Sequence, residues 1–127
     1  MALTTTAALA EYSGLMGNTG SKTAFNFLAC GTGTAAEAAS DTTLGTEITN
    51  NGLERSSGTT SQVTTTATND TLQIVKVWTS SGTVTVAEVA MFNASSTGTM
   101  AFRDKLSSTK ALVDGDTLTY TAKVVYA

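Results

Sequence analysis

The sequence predicts an all-β fold, an antiparallel β-sandwich of jelly-roll or immunoglobulin-like type with about six to eight short strands and an N-terminal arm or short helix. Threonine is the most frequent residue and proline is absent, and β-branched residues suit pleated, half-buried strands. Runs of alternating apolar and polar residues recur along the chain, and Gly, Asn and Asp clusters separate them. The 127 residues are enough for one hydrophobic core.

The N-terminal part, residues 1–21, is expected to be an arm or short helix ahead of a single sandwich domain at residues 22–127. An Ala-rich stretch precedes a Gly-rich loop, and the pattern alone does not choose between arm and helix. The segment lacks the basic and apolar regions of a secretory signal, so we interpret it as mature sequence. The apolar residues expected to contact a partner are Leu3, Leu9, Leu15 and Met16. The competing interpretation is a helix packed on its own domain.

The next part of the chain contains one strand and a long connection. Lys22 to Cys30 places Phe25 and Phe27 on one side of a pleat, which predicts the first substantial strand. Residues 31–52 begin with two glycines and include an Ala-rich run that is too short to form a stable helix. We therefore expect an ordered connection with at most one helical turn.

The second half is repeatedly β in character. Residues 53–68 are rich in Thr and Ser, which indicates exposed strands. Thr71 to Thr79 has apolar residues on both faces, which is typical of a central strand, and a short turn follows it. The spacing predicts a β-hairpin with Thr83 to Phe92.

The last two predicted strands end the chain. Thr99 to Leu106 is predicted to be a strand, and Ser107 to Lys110 a connection. An Asp-Gly-Asp turn then precedes Thr117 to Tyr126, which alternates almost perfectly between larger apolar residues and smaller or polar ones. That alternation is the clearest strand signal in the sequence.

The composition argues against most kinds of enzyme. The chain has no His and one Cys, so it lacks the usual proton shuttle, the usual metal ligand and any internal disulfide. Its net charge of −3 argues against nucleic-acid binding, and no segment is long enough for a membrane-spanning helix. The Gly-rich stretch at 31–34 lacks the remaining residues of a phosphate-binding loop. We expect no enzymatic activity, no cofactor and no resident metal.

The charged and aromatic candidates have structural explanations. Glu88 lies among apolar residues, where an unpaired carboxylate is costly to bury, so we expect exposure or an ion pair with Arg55 or Arg103. The acidic residues that might ligate calcium do not match the EF-hand spacing and are better explained as turn formers. They are Asp41, Glu47, Glu54, Asp114 and Asp116. Cys30 and Trp78 are expected to be packed.

Several short motifs resemble those of small virion proteins of tailed bacteriophages, over about residues 25–126. They are Gly31-Thr32-Gly33-Thr34, Asp41-Thr42, Leu44-Gly45, Glu47-Ile48, Glu88-Val89-Ala90-Met91-Phe92-Asn93 and the final strand. Ala90 stands where this pattern usually has Gly. Capsid decoration proteins and tail or fibre proteins both share the resemblance.

The resemblance implies a capsid decoration, or cement, protein that stabilises the assembled head by bridging capsid subunits. Its expected partners are the major capsid protein and further copies of itself, as a trimer or dimer. Its expected location is the capsid exterior, after synthesis in the host cytoplasm. The alternative is a tail- or fibre-associated protein used in host attachment, and a glycan-binding form would need Trp78, Tyr120 and Tyr126 as an exposed platform.

Overall fold

The computed structural model describes residues 3–126 and is mostly β, with one helix. The elements in chain order are β1 (Leu3–Thr4), α1 (Thr6–Gly17), β2 (Phe27–Gly31), β3 (Ser56–Ser57), β4 (Thr59–Val63), β5 (Thr71–Thr79), β6 (Val84–Phe92), β7 (Met100–Leu112) and β8 (Thr117–Val125). The connection between β2 and β3 contains no helix. Its turn at Asn51 and Gly52 has positive φ angles of 60° and 76°, which these residue types tolerate.

The strands form two antiparallel sheets. One has five strands in the order β1-β7-β6-β2-β3, and the other has three in the order β4-β5-β8. Two packed sheets around one core make a β-sandwich, so the predicted fold class is confirmed. The predicted central strand is also confirmed, because β5 lies between β4 and β8.

The core fills the space between the two sheets. Apolar side chains from both sheets meet there, and alternating residues of each strand point inward. The largest fully buried apolar side chains of this core are Leu28, Leu53, Ile74, Val86, Val89 and Met91. A second buried cluster is separate from it and includes Leu44 of the connection between β2 and β3. Its members are Ala29, Leu44, Ala90, Phe92 and Met100.

The N-terminal segment is a helix packed on its own domain. Thr5 caps α1 by accepting a hydrogen bond from the Ala8 amide at 3.2 Å, and Asn18 ends it in the left-handed conformation with φ 51°. Ala8 is fully buried, and the Tyr12 ring meets Phe25 edge-on at 5.3 Å. The structure therefore shows the helix and not the extended arm.

Three local predictions were wrong. The strand predicted from Lys22 begins only at Phe27, and Phe25 and Phe27 do not share a face: Phe25 packs in the core between the sheets and Phe27 against the second cluster. The strands on either side of the Ser80–Gly82 turn, β5 and β6, do not form a hairpin, because they belong to different sheets and the turn carries the chain between layers. The predicted connection at Ser107 to Lys110 is part of β7. Its polar residues belong to a bulge, since Glu88 pairs with Lys105 while Val86 pairs with Lys110.

The structure contains no helix, within residues 3–126, that is long and apolar enough to cross a bilayer.

Candidate functional site

A buried charged cluster in the five-stranded sheet is centred on Glu88, which is fully buried in the middle of β6. Its Oε1 accepts hydrogen bonds from the amides of Gly33 at 3.1 Å and Thr46 at 3.0 Å. Its Oε2 accepts from the Gly45 amide at 3.2 Å and from Arg103 Nε at 2.7 Å. Both carboxylate oxygens are thus satisfied by the chain itself, three of the four donors coming from the 31–52 connection.

Glycines in the connection make room for this carboxylate. A Cβ on Gly31 would lie 2.5 Å from Glu88 Oε1, and one on Gly33 would lie 2.6 Å from the same atom. A Cβ on Gly45 would lie 3.2 Å from the Gly33 Cα. The backbone approaches the buried carboxylate closely at these positions because side chains are absent there.

Arg103 joins the same cluster from β7 and is 3% exposed. Besides Glu88, its guanidinium donates to the carbonyl oxygens of Ala35 at 2.8 Å and Ala36 at 3.1 Å, and to Asp41 Oδ2 at 3.3 Å. One arginine therefore ties the Ala-rich run to β6 and β7. A buried ion pair with these extra hydrogen bonds avoids the penalty of an uncompensated charge.

The environment of Glu88 keeps it ionised. Burial by itself raises the pKa of this carboxyl, but the Thr46 amide, Arg103 and the Gly45 amide together bring its pKa below the ordinary value. A buried carboxylate held in the charged form by fixed donors is a structural ion and a poor proton donor at neutral pH.

A second ion pair holds the far end of the connection. Arg55 Nε and Nη2 donate to the two oxygens of Glu47 at 2.9 and 2.7 Å. Arg55 Nη1 donates to the carbonyls of Ala94 at 3.2 Å and Thr97 at 2.7 Å. The guanidinium also stacks on the Phe92 ring, 3.5 Å from its centroid.

The structure thus brings together only part of the predicted ion-pair set. Glu88 lies with Arg103, whereas Arg55 lies with Glu47. Sequence analysis considered Asp41 and Glu47 as turn formers or calcium ligands and missed their role as counter-ions. The signal available was their position inside the same short motifs as the glycines.

Asp116 and Cys30 are also occupied by contacts within the chain. Asp116 Oδ2 accepts from the Val113 amide at 2.8 Å in the turn before β8. Cys30 is fully buried, its thiol donates to the Leu53 carbonyl, and burial raises its pKa to about 12. Among residues 3–126 there is no group of three or more side chains placed to hold a metal ion.

The aromatic residues do not form one exposed platform. Trp78 is 2% exposed, and its indole N–H donates to the Glu54 carbonyl at 3.0 Å. The Tyr120 hydroxyl donates to Asp104 at 2.7 Å. Burial, the larger cause, and this hydrogen bond both raise the pKa of Tyr120. Only Tyr126, at 63% exposure, displays its ring to solvent.

Several exposed apolar residues lie on α1 and near residue 126. Leu9, Leu15 and Met16 are 58%, 38% and 89% exposed. Leu9 and Met16 are seven residues apart and lie on the same face of the helix. A cleft of about 320 Å³ is lined by Tyr12, Leu15, Met16 and Tyr126. We call Leu9, Leu15, Met16 and Tyr126 the helix patch. Leu3, 40% exposed, lies apart from α1 on β1.

The sequence matches one protein family over residues 4–126, described as podophage GP4 fiber I protein gp80. The chain belongs to this family. The resemblance to tailed-phage virion proteins is thereby confirmed, and the chain is a phage virion structural protein. The family description favours the tail or fibre alternative over capsid decoration. No curated protein and no solved structure matches the chain.

Proposed function

We propose that the protein is a fibre component of a podophage virion and that it acts through protein–protein contacts, without catalysis. The observation that carries this proposal is the match to a fibre-protein family over residues 4–126. Under this proposal the protein lies in a fibre or at its attachment to the tail, and not across the capsid surface.

The use of charge inside the domain supports an architectural role. Catalysis by acids and bases needs ionisable groups that are free to exchange protons with a substrate. Glu88 and Arg103 are instead buried and fixed by hydrogen bonds to the connection. Arg55 and Glu47 likewise hold the loop after β6. These contacts hold the connection and the loop after β6 in place, which suits a structural role.

The helix patch is proposed as the contact with a neighbouring virion protein. Met16 is 89% exposed and Leu9 58%, and Tyr126 continues the apolar surface beyond the helix. Burying such side chains against a partner is favourable by about 1.5–3 kcal/mol for each fully buried residue. Leu3 is proposed to add a separate contact from β1, since 40% of it is exposed.

Immunogold electron microscopy of purified virions tests the location. Antibodies against the protein should label fibres or the tail region, at a few positions per particle. Labelling spread over the whole head would overturn the proposal in favour of capsid decoration, with the major capsid protein as the partner.

Incorporation of variants into virions tests the helix patch. Met16→Glu combined with Leu9→Glu should reduce the amount of protein in purified particles severalfold, because the charges oppose burial of the patch. Ala10→Glu is the matched control, since Ala10 is exposed on the same helix and lies outside the patch. Equal incorporation of the wild-type protein, the double variant and Ala10→Glu would show that the patch makes no contact in the virion.

A further inference from the structure

Among residues 3–126, β8 is the longest strand at the end of a sheet. This nine-residue strand ends the three-stranded sheet and pairs with β5 along its whole length. Among residues 3–126, no other strand pairs with it. Its second edge therefore presents unpaired backbone donors and acceptors, which form a template for another strand.

Hydrogen bonds at both ends of the strand show which backbone groups face outward. The Ser80 amide donates to Asp116 at 2.7 Å, and the Tyr126 amide donates to Asp70 at 2.9 Å. Residues 116 and 126 therefore direct their backbone groups toward β5. In an antiparallel ladder this direction alternates with every residue. The residues whose N–H and C=O groups face the open edge are Thr117, Thr119, Thr121, Lys123 and Val125.

This edge lacks the usual protection against pairing. Proteins blunt an exposed edge with proline, with several charges or by making the edge strand very short. The chain has no proline, and Lys123 is the single charged residue of β8. By contrast, the five-stranded sheet ends on β1 and β3, which have two residues each. The part of β7 that extends beyond β1 carries a bulge and three charged residues, Asp104, Lys105 and Lys110, which are devices that blunt an edge.

We propose that β8 pairs with β8 of a second copy of this chain, antiparallel and centred on Thr121, so that the two three-stranded sheets become one continuous sheet. In this register the outward-facing residues of one copy oppose those of the other, as hydrogen-bonded pairs require. Thr121 opposes Thr121, and Thr119 opposes Lys123.

The side chains of β8 complement themselves in this register. Leu118 opposes Val124 and Tyr120 opposes Ala122, so apolar residues meet on the face that packs inward. The two Lys123 side chains are offset by four residues, about 14 Å along the strands. That distance exceeds the screening length at physiological salt, so the second copy brings no like-charge repulsion.

The space beside β8 accommodates another strand. A cleft of about 460 Å³ lies against this edge, lined by Thr4, Phe102 and residues 120–125. Inward-facing side chains of the added strand would enter this cleft and meet the Phe102 ring. The proposal concerns association of the purified protein, so it goes beyond the proposed function and is tested separately from location in the virion.

Sedimentation velocity over a range of concentrations tests the interface. The wild-type protein should dimerise, and Thr121→Pro should weaken dimerisation at least about tenfold by removing hydrogen bonds at the centre of the interface. The Thr121 amide faces the open edge, so proline there removes no bond to β5. Thr121→Ala is the control, because it keeps the amide and should still dimerise.

Amide exchange measured by NMR provides a residue-specific readout. The amides of residues 119, 121 and 123 should become protected as concentration rises, whereas those of 118, 120 and 122 should be protected at every concentration. A wild-type protein that stays monomeric with unprotected odd-numbered amides would overturn the proposal. So would an oligomer that Thr121→Pro leaves unchanged.

A second variant covers the case in which Thr121→Pro does not fold, as judged by circular dichroism. Thr121→Lys places two like charges opposite each other at the centre, so dimerisation should weaken at low salt and recover partly at high salt. Val77→Lys adds the same charge to the exposed face of the central strand β5 and should not change dimerisation. If Thr121→Lys and Val77→Lys changed dimerisation equally, pairing through β8 would be contradicted.

Discussion

The two sheets of the sandwich differ in how they use polar residues. The five-stranded sheet holds a buried carboxylate and guanidinium, and its edges are two-residue strands. The three-stranded sheet has a Thr-rich exposed face, two lysines and edges of five and nine residues. In the five-stranded sheet, the buried polar groups hold the long connection in place within one copy. In the three-stranded sheet, the unpaired backbone groups of the edge strands remain available to neighbours.

The largest effect is expected from breaking the buried ion pair. Arg103→Met leaves the Glu88 carboxylate buried without its counter-ion, so the free energy of unfolding should fall by about 3–5 kcal/mol. Urea denaturation at neutral pH measures this change. The double variant with Glu88→Gln should lose less than Arg103→Met alone, because the uncompensated charge is gone. A loss below about 1 kcal/mol for Arg103→Met would show that the pair is not essential.

A smaller loss is expected from filling the space that the connection leaves for Glu88. Gly33→Ala should lower the free energy of unfolding by about 1–3 kcal/mol, because its Cβ would lie 2.6 Å from a fixed carboxylate oxygen. Gly17→Ala is the control, since the nearest atom outside its own helix is 3.7 Å away. It should leave stability unchanged or raise it by up to about 1 kcal/mol. Equal effects of the two substitutions would contradict this packing.

The pH dependence of stability tests whether the ionised form of Glu88 stabilises the five-stranded sheet. Folding lowers the pKa of Glu88 below its ordinary value of 4.5, so its stabilising contribution is complete above that value and is lost as the pH falls through the folded pKa. The stability difference between wild type and Glu88→Gln should therefore shrink between pH 7 and pH 3. A constant difference across this range, measured by denaturation, would show that ionised Glu88 is not the stabilising form.

The smallest effect is expected on the exposed face of the three-stranded sheet. Val77 is 52% exposed on β5, so Val77→Thr should change the free energy of unfolding by no more than about 0.5 kcal/mol. Thermal unfolding compared with wild type provides the measurement. A loss as large as that of Gly33→Ala would mean that this face is packed, and the contrast between the sheets would fail.

The sequence predicts where the strands lie better than it predicts which strands pair with each other. The alternation of Thr117 to Tyr126 predicts β8 almost to the residue, because a strand with one buried face repeats every two residues. The spacing of β5 and β6 suggests a hairpin, but a short turn joins strands within a sheet and between sheets alike. Local patterns do not contain that distinction, which depends on contacts of residues far apart in the sequence.

In the candidate site, too, the sequence indicates a local requirement but not the distant residues that meet it. The cost of burying Glu88 predicts a cationic partner, yet the choice between Arg55 and Arg103 depends on the register of β6 against β7. The connection surrounds the Glu88 carboxylate because three of its glycines approach that group closely. No rule about residue spacing in the sequence indicates this approach. Exposure of Leu9 and Met16 likewise depends on which side of α1 meets the sheet, and both sides carry apolar residues.

Strand β1 pairs with β7 across almost the whole length of the chain. Leu3 lies opposite Arg103, and the Thr5 hydroxyl that caps α1 also donates to the Met100 carbonyl. During synthesis, β1 and the Thr5 hydroxyl cannot make these contacts until residues 100–103 have left the ribosome. Closing such a long loop is slow relative to forming local structure. The first strand of the fold is therefore paired only after β7 has been made, although it is synthesised first.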